Sequence, residues 1–438
     1  MNSIVKKEQF CQVKQSIKRN RKFLLIGIDV SKKSSTACFY NIEKEILLKK
    51  YLVRHDIENF RKFVYKIEQI MEINNFHNVI IGVEPTANYH KPISEYLRKK
   101  DYFMVYVSSV AAKSNRRTID GGRWGKNDPR DAYNVVDLMR QGKILYYRDE
   151  NTQPMNIRKY LLLRQRLTKI KNSLKTRIRN NIWACYFPEL CLLFKNAECP
   201  DVLTLLEHGL SSQTIKNMDY SLFVNLFSDS IKSNNKQHSR LSQVWQNAKT
   251  SIGLPMPSAS ILEGKLIARD IKKTQKDIAE IDKILSHYCM QNDVYYNLLS
   301  IPVFGVFTTA VFKSVIADIN TFSHDRQLVK LAGLDIETMT SGKFAGKEKI
   351  SKKGSSLLRF AICNATNVAI SKNKFVGQMF QKKLKERGNS KEAKAKLKIK
   401  FAEKILRAAF VIMKHNVPFN INIFSVPVDD PVINSVRA

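Results

Sequence analysis

Four acidic residues of this chain stand where carboxylates can act together. Asp29 follows the apolar run FLLIGI and Glu84 follows NVIIGV, so each lies at the end of a predicted buried strand, where α/β domains place their sites. Asp128 and Asp131 are three residues apart, which puts both on one face of a helix. If the four carboxylates converge, a cation must neutralise them or their pKa values must rise. Such oxygen ligands select Mg²⁺, with Mn²⁺ as an alternative.

Each acidic residue by itself also fits a structural role. An Asp at a strand end is commonly a turn or cap residue. Asp128 fits the N-cap of its helix, because Pro129 suits the first helical position. The combination favours a metal site, in which two ions would stabilise the attacking and leaving oxygens of a phosphoryl transfer.

The elements that must position these acids follow from hydrophobic patterning. Short connections join the first three strands into an antiparallel meander, and strands then alternate with helices, which predicts an α/β domain with a mixed sheet. The predicted strands cover residues 23–30, 35–40, 45–53, 78–83 and 103–107, and the predicted helices cover 57–73, 91–100 and 128–141.

The rest of the chain is predicted to be mainly helical. Two long helical segments are predicted, a basic one from about 157 and a second one from about 259 to 290. The second carries apolar residues at spacings of three and four, as helices that pair with another helix do. An antiparallel hairpin and a dimerising coiled coil both fit. We divide the chain into a basic arm (1–22), an α/β domain (23–150), a helical linker (151–293) with an insertion at about 190–257, a C-terminal helical domain (294–420) and a tail (421–438).

The charge of the chain indicates a polyanionic partner. Lys and Arg total 74 against 39 Asp and Glu, a formal net charge of +35. Such an excess repels itself in a compact chain, and neutralising nucleic-acid phosphates releases counterions. Lysine-rich composition from an AT-rich genome is the alternative. The candidate phosphate-binding residues of the first long helix are Arg164, Arg166, Lys175, Arg177 and Arg179.

A membrane location and a secreted, disulfide-bonded protein fit the sequence less well. No apolar run approaches the roughly 20 residues that span a bilayer, and the charged N-terminal segment lacks the apolar core of a signal peptide. The seven cysteines form no C-x-x-C pair, which argues against a zinc site and a disulfide framework. We therefore expect a cytoplasmic protein without a membrane partner.

Three blocks of the first domain resemble a known family. GIDVSKKSSTACFY with Asp29, IIGVEPTANYH with Glu84, and KNDPRDAYNVVDLM with Asp128 and Asp131 are similar to the DEDD transposases of insertion sequences. The N-terminal domain of that family resembles the Holliday-junction resolvase RuvC and has an RNase H-like fold. The resemblance covers about residues 23–145 and implies that these four residues are catalytic metal ligands.

A second resemblance, to the C-terminal domain of the same family, covers about residues 295–415. It rests on LAGL at 331–334 and on TSGKFAGKEKISKKGSSLLRFAICNAT, and it implies that Ser341 is the nucleophile. A turn residue at Ser341 and a rival nucleophile at Ser351 stay open from chemistry alone. The loop lysines that would hold the scissile phosphate are Lys343, Lys347, Lys349, Lys352 and Lys353.

The resemblance predicts a function for the whole chain. It implies a bacterial, nucleoid-associated recombinase that excises and inserts a mobile element through a covalent serine–DNA intermediate. It also implies a guide non-coding RNA, and a dimer or tetramer whose carboxylate site and serine work on one phosphodiester. Two alternatives stay open: a metal-dependent nuclease, such as a junction resolvase, that uses water as nucleophile, and a nucleic-acid-binding protein whose acidic quartet is inactive.

Overall fold

The computed structural model divides the chain into two compact units, Met1–Asp149 and Glu150–Ala438. It describes residues 3–85, 87–119, 128–147, 152–227, 235–337, 340–341, 344–345 and 349–420. For Asp128 and Ser341 it describes the backbone. The predicted tail, 421–438, lies outside the described residues.

A six-stranded mixed sheet forms the centre of the first unit, with strand order β3-β2-β1-β4-β5-β6. The strands β1, β4 and β5 are parallel to one another, and β2, β3 and β6 pair antiparallel with their neighbours. This sheet confirms the predicted meander and α/β class. The strands are β1 (Phe23–Val30), β2 (Ser34–Asn41), β3 (Glu45–Arg54), β4 (Asn78–Val83), β5 (Phe103–Val107) and β6 (Ile144–Tyr146).

Helices cover both faces of this sheet, an arrangement consistent with the expected RNase H-like α/β domain. Their bounds are α1 (Ser3–Ser16), α2 (Ile57–Asn74), α3 (His90–Lys99), α4 (Ser109–Arg116) and α5 (Asp128–Arg140). The helices α2 and α3 share one hydrophobic core with the sheet, and α1, α4 and α5 share the other. The sequence did not predict α4 or β6. The segment expected as a basic arm contains α1, with Phe10 and Ile17 buried.

Local sequence explains where α2 begins and ends. The Asp56 carboxylate accepts a hydrogen bond of 2.8 Å from the Asn59 backbone N–H, as an N-cap does. Asn75 ends the helix in the left-handed conformation, which asparagine tolerates. Between them, apolar residues recur every three or four positions and face the sheet.

The alternation of β1 sets the face on which Asp29 lies. Leu24, Ile26 and Ile28 pack in the core under α2 and α3, and Leu25 packs in the core under α5. Because successive side chains of a strand point to opposite faces, Asp29 shares the face of Leu25 and Gly27. That face is the one that α5 covers.

The helix α5 lies unusually close to this face at Gly27. A Cβ on Gly27 would lie 2.5 Å from the Ala132 carbonyl oxygen and 2.8 Å from the Val136 backbone nitrogen. Only glycine permits this approach of helix backbone to strand backbone. The approach places Asp131, the neighbour of Ala132, beside the carboxyl end of β1.

In the part that the structure describes, the second unit is helical apart from two short pairs of strands. Its α-helices are α6 (Gln153–Arg177), α7 (Ala184–Tyr186), α8 (Leu190–Leu193), α9 (Pro200–Glu207), α10 (Ser212–Lys216), α11 (Tyr220–Asn225), α12 (Asn235–Lys249), α13 (Ser258–Met290), α14 (Asp293–Leu299), α15 (Val306–Ile316), α16 (Asp325–Ala332), α17 (Ser356–Lys372), α18 (Lys374–Lys385) and α19 (Lys391–His415). A π-helical turn covers Ile178–Trp183, and a 3₁₀ turn covers Ile319–Thr321. The strands are β7 (Ile336–Glu337), β8 (Thr340–Ser341), β9 (Phe344–Ala345) and β10 (Lys349–Ile350).

The long helices α6 and α13 form an antiparallel hairpin within the chain. Near its base the Gln153 amide donates to the Gln291 side chain at 3.4 Å. Further along, Arg164 pairs with Asp282 at 2.6 Å, and near the far end Arg177 pairs with Glu263. The two helices therefore run antiparallel within one chain. Of the two predicted arrangements, this favours the hairpin over the dimerising coiled coil.

Two hydrophobic cores surround this hairpin. Ile178, Trp183 and Ile267 pack at its far end with helices from the predicted insertion, 190–257. Ile157, Leu161 and Leu285 pack at its base with residues as far along the chain as Met413. The insertion therefore shares a core with the far end of the hairpin, and this core is distinct from the one at the base. Within the described part of the chain, no helix is long and apolar enough to cross a membrane.

A substitution at Gly27 tests whether this close packing holds the first unit together. Gly27→Ala should lower the free energy that protects the amides of β1 and α5 from hydrogen exchange by about 1–3 kcal/mol, because the new methyl group meets helix backbone. Gly82→Ala is the matched control, since the atoms nearest to its Cβ would belong to the flexible side chain of Met139 and not to backbone. Equal effects of the two substitutions would show that the backbone contact at Gly27 is not limiting.

Candidate carboxylate site and serine hairpin

The parallel pairing of β1 and β4 brings two predicted acids to one edge of the sheet. Ile28 pairs with Val83 in register, so Asp29 and Glu84 are the next residues of adjacent strands. Parallel strands present their carboxyl ends at the same edge. Both residues are half-buried, and they lie at the carboxyl edge of the sheet.

The third acid, Asp131, comes from α5 and is almost completely buried. Its side chain is 2 % exposed, and that of Glu84 is 12 % exposed. Burial of a carboxylate is costly unless a positive charge or hydrogen-bond donors compensate it. The fourth acid, Asp128, begins α5 as predicted, but its side chain lies outside the described residues.

The guanidinium of Arg116 lies between two of these acids. Its Nε is 2.7 Å from Asp131 Oδ1, and its Nη2 is 3.3 Å from Glu84 Oε2. Arg116 ends α4, the helix that the sequence did not predict. The only local signal was the Arg-Arg pair at 116–117, which gave no indication of a contact with the acids.

A buried polar network holds α4 against α5. The Asn115 amide donates to Asp137 Oδ2 at 2.7 Å and to Asn134 Oδ1 at 3.0 Å, and the Asn134 amide donates to the Ala112 carbonyl at 3.0 Å. Gln141 donates to the same Asp137 oxygen at 2.6 Å. Because these groups satisfy one another, the network is specific in its geometry. It sets where the end of α4, and therefore Arg116, lies relative to Asp131.

The structure thus places Asp29, Glu84 and Asp131 at one edge of the sheet, and their role as metal ligands stays a prediction. Among the residues whose side chains are described, no three potential ligands are close enough to hold a metal ion. A physical reason is the position of Arg116, whose guanidinium occupies the space between Glu84 and Asp131.

In the second unit, the predicted nucleophile lies on a short antiparallel hairpin. Ser341 ends β8 and pairs in register with Phe344 of β9. Nearer the base of the hairpin, β7 pairs with β10, and Glu337 lies opposite Lys349. The side chain of Ser341 lies outside the described residues, as do Lys343 and Lys347.

The base of this hairpin is firmly anchored. The Ser351 hydroxyl donates to Asp335 Oδ1 at 2.6 Å, and the Ser351 N–H donates to the Asp335 carbonyl at 2.8 Å. Arg359 donates to the Ala332 carbonyl at 2.9 Å. Gly354, at φ 157°, sits where a Cβ would meet the Leu331 carbonyl. Ser351, the rival nucleophile, therefore joins the two ends of the hairpin.

Most of the predicted phosphate-binding residues on α6 and the π-helical turn after it have partners within the chain. Arg164 donates two hydrogen bonds to Asp282, and Lys175 donates to Glu198 at 3.0 Å. Arg177 pairs with Glu263, and Arg179 donates to the Lys195 carbonyl. These contacts favour a structural role, above all for the half-buried Arg164. Arg166 and the hairpin lysines Lys349, Lys352 and Lys353 are exposed.

A basic groove that the sequence did not single out lies between α17 and α18. Its volume is ≈ 530 Å³, and Gln378 and Gln381 lie in it beside four lysines. The lysines come from the end of α17 and from one face of α18, and all are exposed. They are Lys372, Lys374, Lys382 and Lys385. A concave surface of this composition fits a phosphate backbone.

The buried thiols do not compete as nucleophiles. Burial raises the pKa of Cys38 to about 12 and that of Cys289 to about 11. Since the thiolate is the reactive form, these cysteines behave as small apolar core residues.

Two models of protein families match the chain. Residues 26–187 match a model described as a transposase, of the DEDD type represented by IS110. Residues 295–381 match a model described as the transposase IS116/IS110/IS902 family. The first match includes all four acidic positions and Arg116, and the second includes Ser341 and its hairpin. No protein of curated description matches the chain.

Proposed function

Because this chain belongs to the IS110 family of DNA transposases, we propose that it excises and inserts an insertion sequence by serine-mediated strand cleavage and rejoining. The observation that carries this proposal is that the two family matches include both the acidic edge of the sheet and the serine hairpin. A purely hydrolytic nuclease would need no serine hairpin. The first unit is then a RuvC-like DEDD domain, and the second carries the serine transposase domain.

In the proposed reaction, the Ser341 hydroxyl attacks a DNA phosphodiester. A Ser–O–P bond forms as the bond from phosphorus to the departing DNA oxygen breaks. The serine hydroxyl loses its proton and the departing DNA oxygen gains one, so that it leaves as a hydroxyl. Attack by a DNA hydroxyl on the same phosphorus reverses these changes and rejoins the strand without an external energy source. The lysines of the hairpin hold the phosphate and neutralise charge on its oxygens.

The carboxylate site fits a divalent cation, which we propose to be Mg²⁺, with Mn²⁺ as an alternative. All its potential ligands are carboxylate oxygens, which hard cations prefer. Asp131 Oδ1 is buried and has no aligned hydrogen-bond donor, so it can become a ligand once the nearby Arg116 guanidinium moves away. Asp29, Glu84, Asp128 and Asp131 would hold the ion. When bound, the ion would stabilise negative charge on the oxygens of the reacting phosphodiester.

DNA is the substrate of this family, and the family resemblance extends the proposal to a guide RNA and to a dimer or tetramer. The net charge of +35 supports polyanionic partners, because phosphate neutralisation drives association. The groove between α17 and α18 is a proposed contact with the nucleic-acid backbone. A nucleoid-associated location in a bacterial cytoplasm follows from these partners and stays a prediction.

The covalent step is tested by trapping a protein–DNA adduct. The wild-type protein, incubated with element-end DNA, Mg²⁺ and the flanking RNA, should form an adduct that Ser341→Ala abolishes. Ser351→Ala is the matched control and should still form the adduct, because its hydroxyl is engaged with Asp335. Loss of the adduct with Ser351→Ala alone would make Ser351 the nucleophile. Cleavage by Ser341→Ala without any adduct would point to a hydrolytic nuclease.

The metal proposal predicts that strand cleavage stops in EDTA and returns with excess Mg²⁺. Asp131→Asn should lower the cleavage rate by more than the about 10–100-fold typical of residues that only support a ligand. Asp101→Asn removes an exposed acid of the same unit and should leave the rate unchanged. Full activity in EDTA would contradict the metal site.

The groove proposal predicts a change in salt dependence. Replacing Lys382 and Lys385 by Gln should lower the slope of log affinity for DNA against log salt by about two, one for each lost phosphate contact. The same change at the exposed Lys99 and Lys100 alters the net charge equally and should leave the slope closer to wild type. Equal slopes in the two double variants would remove the groove from the interface.

A further inference from the structure

Arg116 makes an unusual contact for an arginine of this chain. Arg98 and Arg164 each donate two hydrogen bonds of 2.6–2.9 Å to a single carboxylate. Arg116 instead divides its guanidinium between Glu84, which follows a strand, and Asp131, on a helix. Two acids from separate elements therefore share one positive charge.

The contact with Asp131 is close but poorly directed. Although Nε and Oδ1 are 2.7 Å apart, neither atom has an aligned hydrogen-bond partner. The forked geometry that makes arginine–carboxylate pairs strong is therefore missing. What the guanidinium supplies at this place is mainly its charge, close to a carboxylate that is 2 % exposed.

The charge is permanent, but the side chain has a route to solvent. An arginine does not lose its proton in a protein, so the site cannot lose this cation by deprotonation. The Arg116 side chain is 27 % exposed, whereas the backbone before it is held by the buried Asn115 network. The guanidinium can therefore leave the acids while α4 stays in place.

We propose that Arg116 is the resident counter-cation of the carboxylate site, and that a divalent ion binds by displacing its guanidinium. The inference rests on the proposed function, since it takes these acids to be metal ligands. Without an ion, Arg116 limits the repulsion among the acids. When an ion binds, the same acids are neutralised by the ion, and the arginine side chain turns toward solvent. Arg116 is thus a positioning residue that sets the metal affinity.

The test is Mn²⁺ binding to the full-length protein without DNA, measured by isothermal titration calorimetry, together with the thermal unfolding midpoint. Arg116→Gln should bind Mn²⁺ about tenfold more tightly, because the ion no longer competes with an internal cation. In metal-free buffer its unfolding midpoint should fall, and saturating Mn²⁺ should restore it. Arg117→Gln is the matched control, since it removes an exposed neighbouring charge, and it should bind Mn²⁺ as the wild type does.

The possible outcomes separate this inference from the metal proposal. Unchanged or weaker Mn²⁺ binding by Arg116→Gln, with binding still lost in Asp131→Asn, would overturn the displacement and leave the metal site standing. No Mn²⁺ binding that depends on Asp131, in wild type or variant, would overturn both. If Arg116→Gln does not fold, Arg116→Lys provides the comparison. A lysine presents one ammonium group in place of a fork and cannot serve both acids equally, so its Mn²⁺ affinity should rise by a smaller factor.

Discussion

Mutual repulsion of carboxylates at one edge of a sheet is the constraint on which the first unit depends. Asp29 and Glu84 end neighbouring parallel strands, and Asp131 is buried beside them on α5. Acids in such a place raise the free energy of the folded chain unless a cation compensates them. The Arg116 guanidinium supplies one positive charge, and the proposed divalent ion would supply more. Both the stability and the chemistry of the site are therefore questions of which cation is present.

The packing around the acids fixes the positions of the elements that carry them. The Gly27 contact sets the distance of α5 from β1, and the Asn115–Asp137 network sets α4 against α5. One device is apolar close packing and the other is a satisfied buried polar network. The glycine contact and the polar network together position α5, which carries Asp131, and α4, which carries Arg116. A site built on such rigid elements keeps its geometry while charges are exchanged within it.

The second unit holds the segment that carries the proposed nucleophile on a well-connected base. The hairpin that carries Ser341 connects α16 to α17. Contacts of Ser351, Asp335 and Arg359 hold its two ends together. The α6–α13 hairpin contributes residues to both hydrophobic cores of this unit. Arg164, Lys175 and Arg177 of α6 hold this framework together as ion pairs, so a high positive charge does not by itself identify a binding surface.

The sequence alone determined the elements that depend on local periodicity and the residues that depend on motif. Five of the six strands of the large sheet, the helices α2, α3 and α5, and the strand-end positions of Asp29 and Glu84 follow from apolar patterning, because burial imposes its period on the chain. Long-range contacts carry no such period. Tertiary structure decided the features that depend on residues meeting only after the chain has folded. These are the helix α4, the place of Arg116 between two acids, the intramolecular pairing of α6 with α13, and the partners of Arg164.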